Sequence, residues 1–554
     1  MSSDGRTDED GPTGSNLRPE TAPGRDAEKR PEPAPGRASK PGGQANERAE
    51  AAPGRGRTAW LAAAALVAIV AAAAFLRFFD LATNPGGLYG DEAAEGLDAA
   101  RLLHQPGFHA DFGVWFTSDG GREALFAYVV AAVFNFAGVT VLALRATAAA
   151  FGVAGVLGIW ALGRRFGTWV GLAAAAWAAG SLWLVCISRD GMRNTIVPFF
   201  GAVALIALLH WAARPGRYSA LLAGAVTSLA ALYTYQPLKL LPALAVVWLI
   251  WIRHADRDRY DRMRAGFIPF AVALIAVAAP MIAVAATNPY NYFGRVAAVS
   301  PFDPAVQTED SPPVHFLRTI LMFGFTGDPN GRHDVAEVPL LPLPLAALAA
   351  LGVRRLWRAR HDAAHSLILL SLPVFLVAPL AAVEGGSPHF LRALGLAAPL
   401  GATIGLGAAE LVEAVRRGRG RGRAAGGLAV AAVALTLAVV AAWSGFAYST
   451  RPVADRYDPY SYRFAAAGEY AADHPGSAVI VDSYSAMDIQ FLDWADPPAI
   501  LEPGQRVADP SAYRTIAAMN PADLATALDP ELAARAEPVA WDPSGEPVVW
   551  AVTP

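Results

Sequence analysis

Two adjacent carboxylates, Asp91 and Glu92, sit in "GGLYGDEAAEGLDAARLL" (86–103), just beyond an apolar run long enough to cross a membrane. Ionised carboxylates beside a bilayer are costly unless they are hydrated, paired or metal-bound. Two roles account for this pair. As acids in the first turn of a helix that continues through Ala93, Ala94 and Leu97, they stabilise its dipole by about 0.3–1 kcal/mol. As a general base, Asp91 would accept the proton of a hydroxyl while that oxygen attacks the anomeric carbon of a sugar.

Cations form the second set. In "SRDGMRN" (188–194) Arg189 and Arg193 lie four apart, so on a helix they share a face and can grip a phosphate through paired N–H groups. Snorkelling to lipid headgroups is the alternative, and Asp190 between them can serve as a salt-bridge partner. Lys239 follows Tyr233 and Tyr235 in "YTYQPLK", a pattern that an interfacial aromatic belt also explains. His389 and Arg392 stand three apart in "EGGSPHFLR". "GFTGDPNGRHD" (324–334) carries Asp328, Arg332, His333 and Asp334 on what reads as a rigid turn. Phosphate loops, HExxH, dinucleotide fingerprints and Ser-His-Asp order are all missing, so soluble nucleotide-driven chemistry has no support.

The elements that must position these residues are membrane spans. Of 554 residues, 54% are hydrophobic and only 17% charged, which predicts a multi-spanning protein with mainly α structure. A net charge of −3 gives no reason to expect a nucleic-acid partner. The single cysteine, Cys186, excludes an internal disulfide and any cysteine-based metal cluster. Residues 1–57 are rich in Gly, Pro, Ala, Arg and Glu, and are expected to form a disordered cytoplasmic tail rather than a cleavable signal. Spanning runs are read at 59–79, 146–163, 168–187, 195–213, 218–235, 238–252, 267–287, 339–353, 366–383, 393–414 and 424–447, about eleven spans with a range of roughly eleven to thirteen.

Sidedness follows from the basic clusters: Arg55/Arg57, Arg164/Arg165, Arg214/Arg217, 253–264, 354–360 and 416–423. All fall in the cytoplasm if the apolar stretch 122–138 does not cross, so that stretch is read as an interfacial or re-entrant helix. The N-terminus is then cytoplasmic in a cell membrane. The first external loop covers 80–145 and a long one covers 288–338. Every candidate named above falls on the external side. The domain 58–447 holds the spans, and 448–554 reads as a small external α/β domain, with "YRFAAAGEYAADHPGSAVIVDSY" as helix then strand and "EPVVWAV" as a closing strand. Nothing in this domain carries a catalytic pattern.

On "GDE", "RAT…GVAGVLGIWALGRRFG" (145–167), "ISRDGMRNTIVPFF" (187–200), "LYTYQPLKLLP" and "PHFLRALGLAAP", the chain resembles a GT-C glycosyltransferase of the family 39 type, the protein mannosyltransferases and bacterial phospholipid-carrier-dependent enzymes. "FTGDPNGRHDVAEVPLLPLPLAAL" resembles a bacterial subgroup. The resemblance implies a polytopic GT-C fold and an inverting transferase that uses a sugar on a polyprenyl phosphate. Its acceptor would be a protein, glycan or lipid hydroxyl outside the membrane. It would make Asp91 the catalytic carboxylate with Glu92 beside it, and give the donor phosphate to Arg189, Arg193, Lys239, His389 and Arg392. Asp190, Asn194, Tyr235, Asp328, Arg332 and His333 are the acceptor-side and loop candidates. No cofactor is required by these motifs; metal dependence varies among such enzymes, which leaves a divalent cation such as Mg or Mn open. Asn194 stands where the family carries a second acid, which weakens an acidic or metal role there and makes a degenerate, inactive relative an alternative. A transporter or flippase of lipid-linked sugars is another, although nearly charge-free spans and the lack of an internal repeat count against it.

Overall fold

Crossing about 30 Å of hydrocarbon takes some 20 apolar residues in a helix, and the computed structural model consists mainly of such helices. It describes residues 53–117, 120–297, 310–383, 385–418 and 423–554. Most of the tail expected at 1–57 lies outside them. In chain order, α1 (Pro53–Phe78) is followed by α2 (Gly90–His104), the short strands β1 (Trp115–Phe116) and β2 (Arg122–Glu123), and α3 (Leu125–Ala137). Then come α4 (Val141–Arg164), α5 (Thr168–Gly180), α6 (Leu182–Ile187), α7 (Val197–Ala213), α8 (Arg217–Leu232), α9 (Leu241–Ala255), α10 (Arg257–Met263), α11 (Phe267–Thr287) and α12 (Pro289–Ala297). The bundle closes with α13 (Pro312–Leu321), α14 (Leu343–Arg358), α15 (Ala363–Ala381), α16 (Ala397–Arg417) and α17 (Arg423–Thr450).

Among the described residues, 8 helices are long and apolar enough to cross a membrane, making this a multi-pass membrane protein. All eleven expected runs are helical, but α8 and α14 have only 16 residues each and the run 168–187 divides into α5 and α6. The stretch 122–138 yields α3, whose 13 residues reach only about 20 Å. It packs on α2 and α4 instead, burying Phe126 and Phe134. Side chains such as Trp60 and Ile268 are more than three-quarters exposed on the bundle perimeter, where lipid would cover them. Alanine- and glycine-rich α16 lies at the centre against α4, α5 and α14, since small side chains let helices approach closely.

The break between α5 and α6 shows how polar groups are used inside this apolar frame. Ser181 leaves helical geometry (φ −66°, ψ 117°), which frees the last carbonyls of α5. Arg77, buried at the end of α1, donates to Ala178 O and Ala179 O at 3.1 Å each. The Ser444 hydroxyl of α17 donates to Gly180 O at 2.7 Å. Three helices are thereby tied at one orphaned helix end.

After α17 the chain forms a small sheet domain. The helices α18 (Val453–Tyr457), α19 (Tyr462–Asp473) and α20 (Ala486–Leu492) lead into or alternate with β3 (Ala478–Ile480), β4 (Ala499–Leu501), β5 (Ile516–Ala518), β6 (Glu537–Trp541) and β7 (Pro547–Val552). Sheet order is β4-β3-β5-β7-β6, with β3 parallel to both β4 and β5 and the β5–β7 and β7–β6 pairs antiparallel. Side-chain alternation in "AVIV" sends Val479 and Val481 to the α19/α20 core, and Ala478 and Ile480 to a core with Leu524 and Ala527. The α20 face rests on α2. This contact carries the small domain onto the opening carboxylates.

Candidate functional site

Helix α2 presents four acids at 91, 92, 95 and 98, a spacing that keeps them near one face. Three are buried in charge pairs. Glu92 receives Arg145 Nε at 2.6 Å and Nη2 at 2.9 Å, and also the Gly191 N–H at 2.9 Å. Glu95 accepts from Arg193 Nη1 at 2.6 Å. Asp98 lies 3.2 Å from Arg122 Nε. Asp91 alone among them is only partly buried, and it accepts the Tyr484 hydroxyl of the sheet domain at 3.2 Å. The two candidate carboxylates thus have distinct situations: Glu92 is locked in an ion pair, and Asp91 keeps access to solvent.

The segment 188–192 is a turn, and a short 3-10 helix follows over Arg193–Ile196. Arg189 and Arg193 therefore do not share a helix face. Arg189 donates to Leu76 O, Phe79 O and Asn84 O at 2.7–2.9 Å, stitching the end of α1 to the loop before α2. Among the described residues its Nε has no hydrogen-bond partner. Arg193 instead bridges Glu95 and Glu123, over the ring of Tyr235. The intervening Gly191 passes so close to α4 that a Cβ there would lie 2.4 Å from Leu144 Cγ, which rules out a side chain. Asn194 is buried and its Oδ1 lacks a hydrogen-bond partner among the described residues.

Lys239 reaches Glu123 at 3.3 Å and lies over the rings of Trp115 and Tyr292. Burial pushes Glu123 upward, but Lys239 and Arg193 outweigh it and hold the carboxyl below its ordinary value. Asp190 behaves in the opposite way. Buried, close to Glu92 and bonded by the Tyr460 hydroxyl at 3.0 Å, it is pushed up to about 7, although Arg145 and Arg332 pull against the shift. Glu92, Arg145, Asp190 and Tyr460 thus form one network with a proton acceptor poised near neutrality.

A third cluster joins the long loop to the segment before α16. Asp328 accepts from His333 Nδ1 at 3.0 Å, from Phe390 N at 2.6 Å and from Asn330 N at 2.8 Å. The His333 and His389 rings are 4.9 Å apart. Burial, with Arg392, His333 and Arg332 nearby, drops His389 well below its ordinary value, so its imidazole is neutral at pH 7. Arg332 connects this cluster with the first network: it stacks 3.6 Å over Tyr89, donates to Pro459 O, and its charge is felt at both Asp190 and His389. A cleft beside α1, α6 and α17, about 390 Å3 in volume, is apolar along Phe75, Leu76 and Val185 and ends at Asn84 and Arg189. A second, of about 490 Å3 among Trp177, Trp183 and Trp443, ends at Asp334.

Several participants lie outside the motifs from which the site was expected. The acids Glu95 and Asp98 were signalled by their spacing from Asp91, whereas Arg145, Arg122 and Glu123 join them through pairing that no local pattern reveals. Tyr460 and Tyr484 belong to the domain in which no catalytic pattern was visible, and yet both touch candidate acids. The buried Asp488 on α20 is a further acid there, and its Oδ1 has no hydrogen-bond partner among the described residues.

No protein-family profile and no curated protein matches this sequence. Among solved structures, ArnT from Cupriavidus metallidurans bound to undecaprenyl phosphate is similar with a TM-score of 0.56 at 15% identity, covering 89% of this chain and 98% of that one. Its apo structure gives the same TM-score and identity over 90% of this chain. The arabinofuranosyltransferase AftD from mycobacteria aligns with a TM-score of 0.45 at 16% identity, over 89% of this chain and 40% of its own. The chain has the GT-C glycosyltransferase fold.

Proposed function

We propose that this protein is a lipid-linked-sugar transferase that moves a sugar from a polyprenyl phosphate to an acceptor hydroxyl at the outer face of the cell membrane, with inversion. The observation that carries the reading is Asp91: on a GT-C scaffold, it is the half-buried acid of α2, reachable from solvent, where Glu92, Glu95 and Asp98 are fully buried. The similarity to a structure bound to undecaprenyl phosphate supports the donor class.

In this reading Asp91 takes the acceptor proton as the oxygen bonds to the anomeric carbon. The carbon–oxygen bond to phosphate breaks on the opposite face, so a single displacement inverts the centre. Negative charge then develops on the leaving phosphate, where fixed cations lower the barrier. Lys239, which shares Glu123 with Arg193, and Arg392 are the cations assigned to it. His389, being neutral, would donate a hydrogen bond rather than charge. The prenyl chain is assigned to the cleft ending at Arg189, because the residues lining it include a guanidinium to attract the phosphate and those lining the other include no cation. Arg189 serves there chiefly by holding the loop that leads to Asp91. Asp190, Asn194, Tyr235, Asp328, Arg332 and His333 belong to the surrounding loops that shape the acceptor side. The basic clusters support an orientation with the N-terminus in the cytoplasm and the sheet domain outside.

The test is transfer from polyprenyl-phosphate sugars by purified protein in lipid, with an envelope extract as acceptor. Asp91→Asn is expected to lower the rate by about 10²–10⁴-fold, with the fold retained. Transfer at an undiminished rate, or none with any donor, overturns the proposal.

A further inference from the structure

Asp328 and His333 come from one loop and His389 from the segment before α16, yet one candidate ligand atom from each falls within 4.8 Å of the others. All three residues are buried. An Asp-His hydrogen bond that merely stiffens the turn would explain His333. It leaves His389 unexplained, because His389 Nδ1 is buried with no hydrogen-bond partner among the described residues, a costly state for a polar atom. On the other side of the ring, Gly385 adopts φ +82°, and a Cβ there would meet His389 Nε2 at 3.2 Å, so the backbone leaves room around this imidazole.

We propose that Asp328, His333 and His389 bind a divalent transition-metal ion of the zinc class. Two imidazoles and one carboxylate suit zinc, whereas magnesium prefers oxygen ligands and water. Ligands at about 2.0–2.1 Å in a tetrahedral set lie roughly 3.4 Å from one another. His333 Nδ1 and Asp328 Oδ2 are already 3.0 Å apart, and rotation of the imidazoles brings the set together. The outer support is present: Phe390 N and Asn330 N orient the carboxylate, and Trp183 Nε1 donates to Phe390 O at 3.0 Å. The fourth position goes to water or another oxygen ligand. The ion would staple the 328–333 loop to the segment that carries Arg392, and so fix Arg332, which lies between two of the ligands in sequence.

The experiment uses the full chain in lipid nanodiscs, stripped by a chelator and titrated with zinc sulfate alone, without sugar donor. Bound metal is counted by mass spectrometry after desalting. Expected are about one zinc per chain, a rise in Tm on zinc addition, and visible bands of tetrahedral geometry with cobalt. Asp328→Asn, which is isosteric but keeps only one of the two oxygens that accept from Phe390 N and Asn330 N, and His389→Gln should each weaken binding at least tenfold. Both should keep the elution profile of the parent and lose the zinc-dependent rise in Tm. No stoichiometric zinc in the parent chain, undiminished zinc in the triple variant D328N/H333Q/H389Q, or displacement by equimolar magnesium overturns the proposal. Because no transfer is measured, failure of the glycosyltransferase reading and failure of the metal site are separately visible.

Discussion

Glu92 and Arg145 form a buried bidentate pair on which the geometry of Asp91 depends, because the two acids are neighbours in the first turn of α2. Arg145 also donates to Pro85 O and Gly87 O, so the same guanidinium fixes the loop entering the helix. Removing one partner of such a pair leaves an uncompensated charge. Glu92→Ala should therefore lower stability by about 3–5 kcal/mol, measured by thermal or denaturant unfolding in detergent. The double change Glu92→Gln, Arg145→Met should recover part of that loss. Asp488 is a buried acid with the opposite difficulty. Burial, aided by Glu92 and Asp91, raises it to about 8 from an ordinary 3.8. The folded state therefore binds a proton that the unfolded state releases between about pH 4 and 8, and this group's contribution to stability falls as pH rises through that window. Asp488→Asn should raise Tm at pH 9, by the equivalent of at least ~1 kcal/mol, and leave it nearly unchanged at pH 4. An equal effect at both pH values would refute this account.

At the scale of elements, the decisive contacts are helix ends. Arg77 caps the C-terminus of α5, where a cation is favoured by both the dipole and the free carbonyls. Replacing it with Met should cost about 3 kcal/mol, from two hydrogen bonds of a charged donor at about 1.5–3 kcal/mol each offset by the smaller desolvation of Met. Unfolding in denaturant measures it, with an unchanged midpoint as the contrary outcome. From the sequence, this arginine reads only as a charge at the end of a span. The helices themselves were legible because their periodicity is lost in near-uniform apolarity, which is itself the membrane signal. The Asp91–Glu92 pair was legible by its place after a span. The expected phosphate grip of Arg189 and Arg193 assumed a helix through 188–194, whereas the chain turns over 188–192 and points the two guanidiniums to different partners. Arg145, Glu123 and Tyr460 stayed hidden for a different reason: their partners lie 53, 70 and 270 residues away, and only the folded chain pairs them.

Across the whole molecule, the sheet domain and the basic loops are expected on opposite sides of the bilayer. A single buried cysteine makes this simple to test. In intact cells a membrane-impermeant maleimide should label Ser544→Cys, on an exposed turn between β6 and β7, and spare Arg257→Cys in the basic α10 region, with Cys186 silent in both. The reverse pattern would invert the topology and move the proposed chemistry to the cytoplasm. Gly87 meets the last domain closely as well: a Cβ there would lie 2.2 Å from Tyr460 O, so the loop before α2 is shaped to receive a segment far along the chain.

The hydrogen bond from Tyr484 to Asp91 joins residues 393 positions apart. At synthesis rates of about 5–20 residues per second, the acid waits roughly 20–80 s for its phenol to emerge from the ribosome. Asp190 waits in turn for Tyr460. Assembly of the pocket is thus a late event in the birth of the protein, and chains cut short before the sheet domain would sit in the membrane with their charged helix uncovered, a ready mark for quality control.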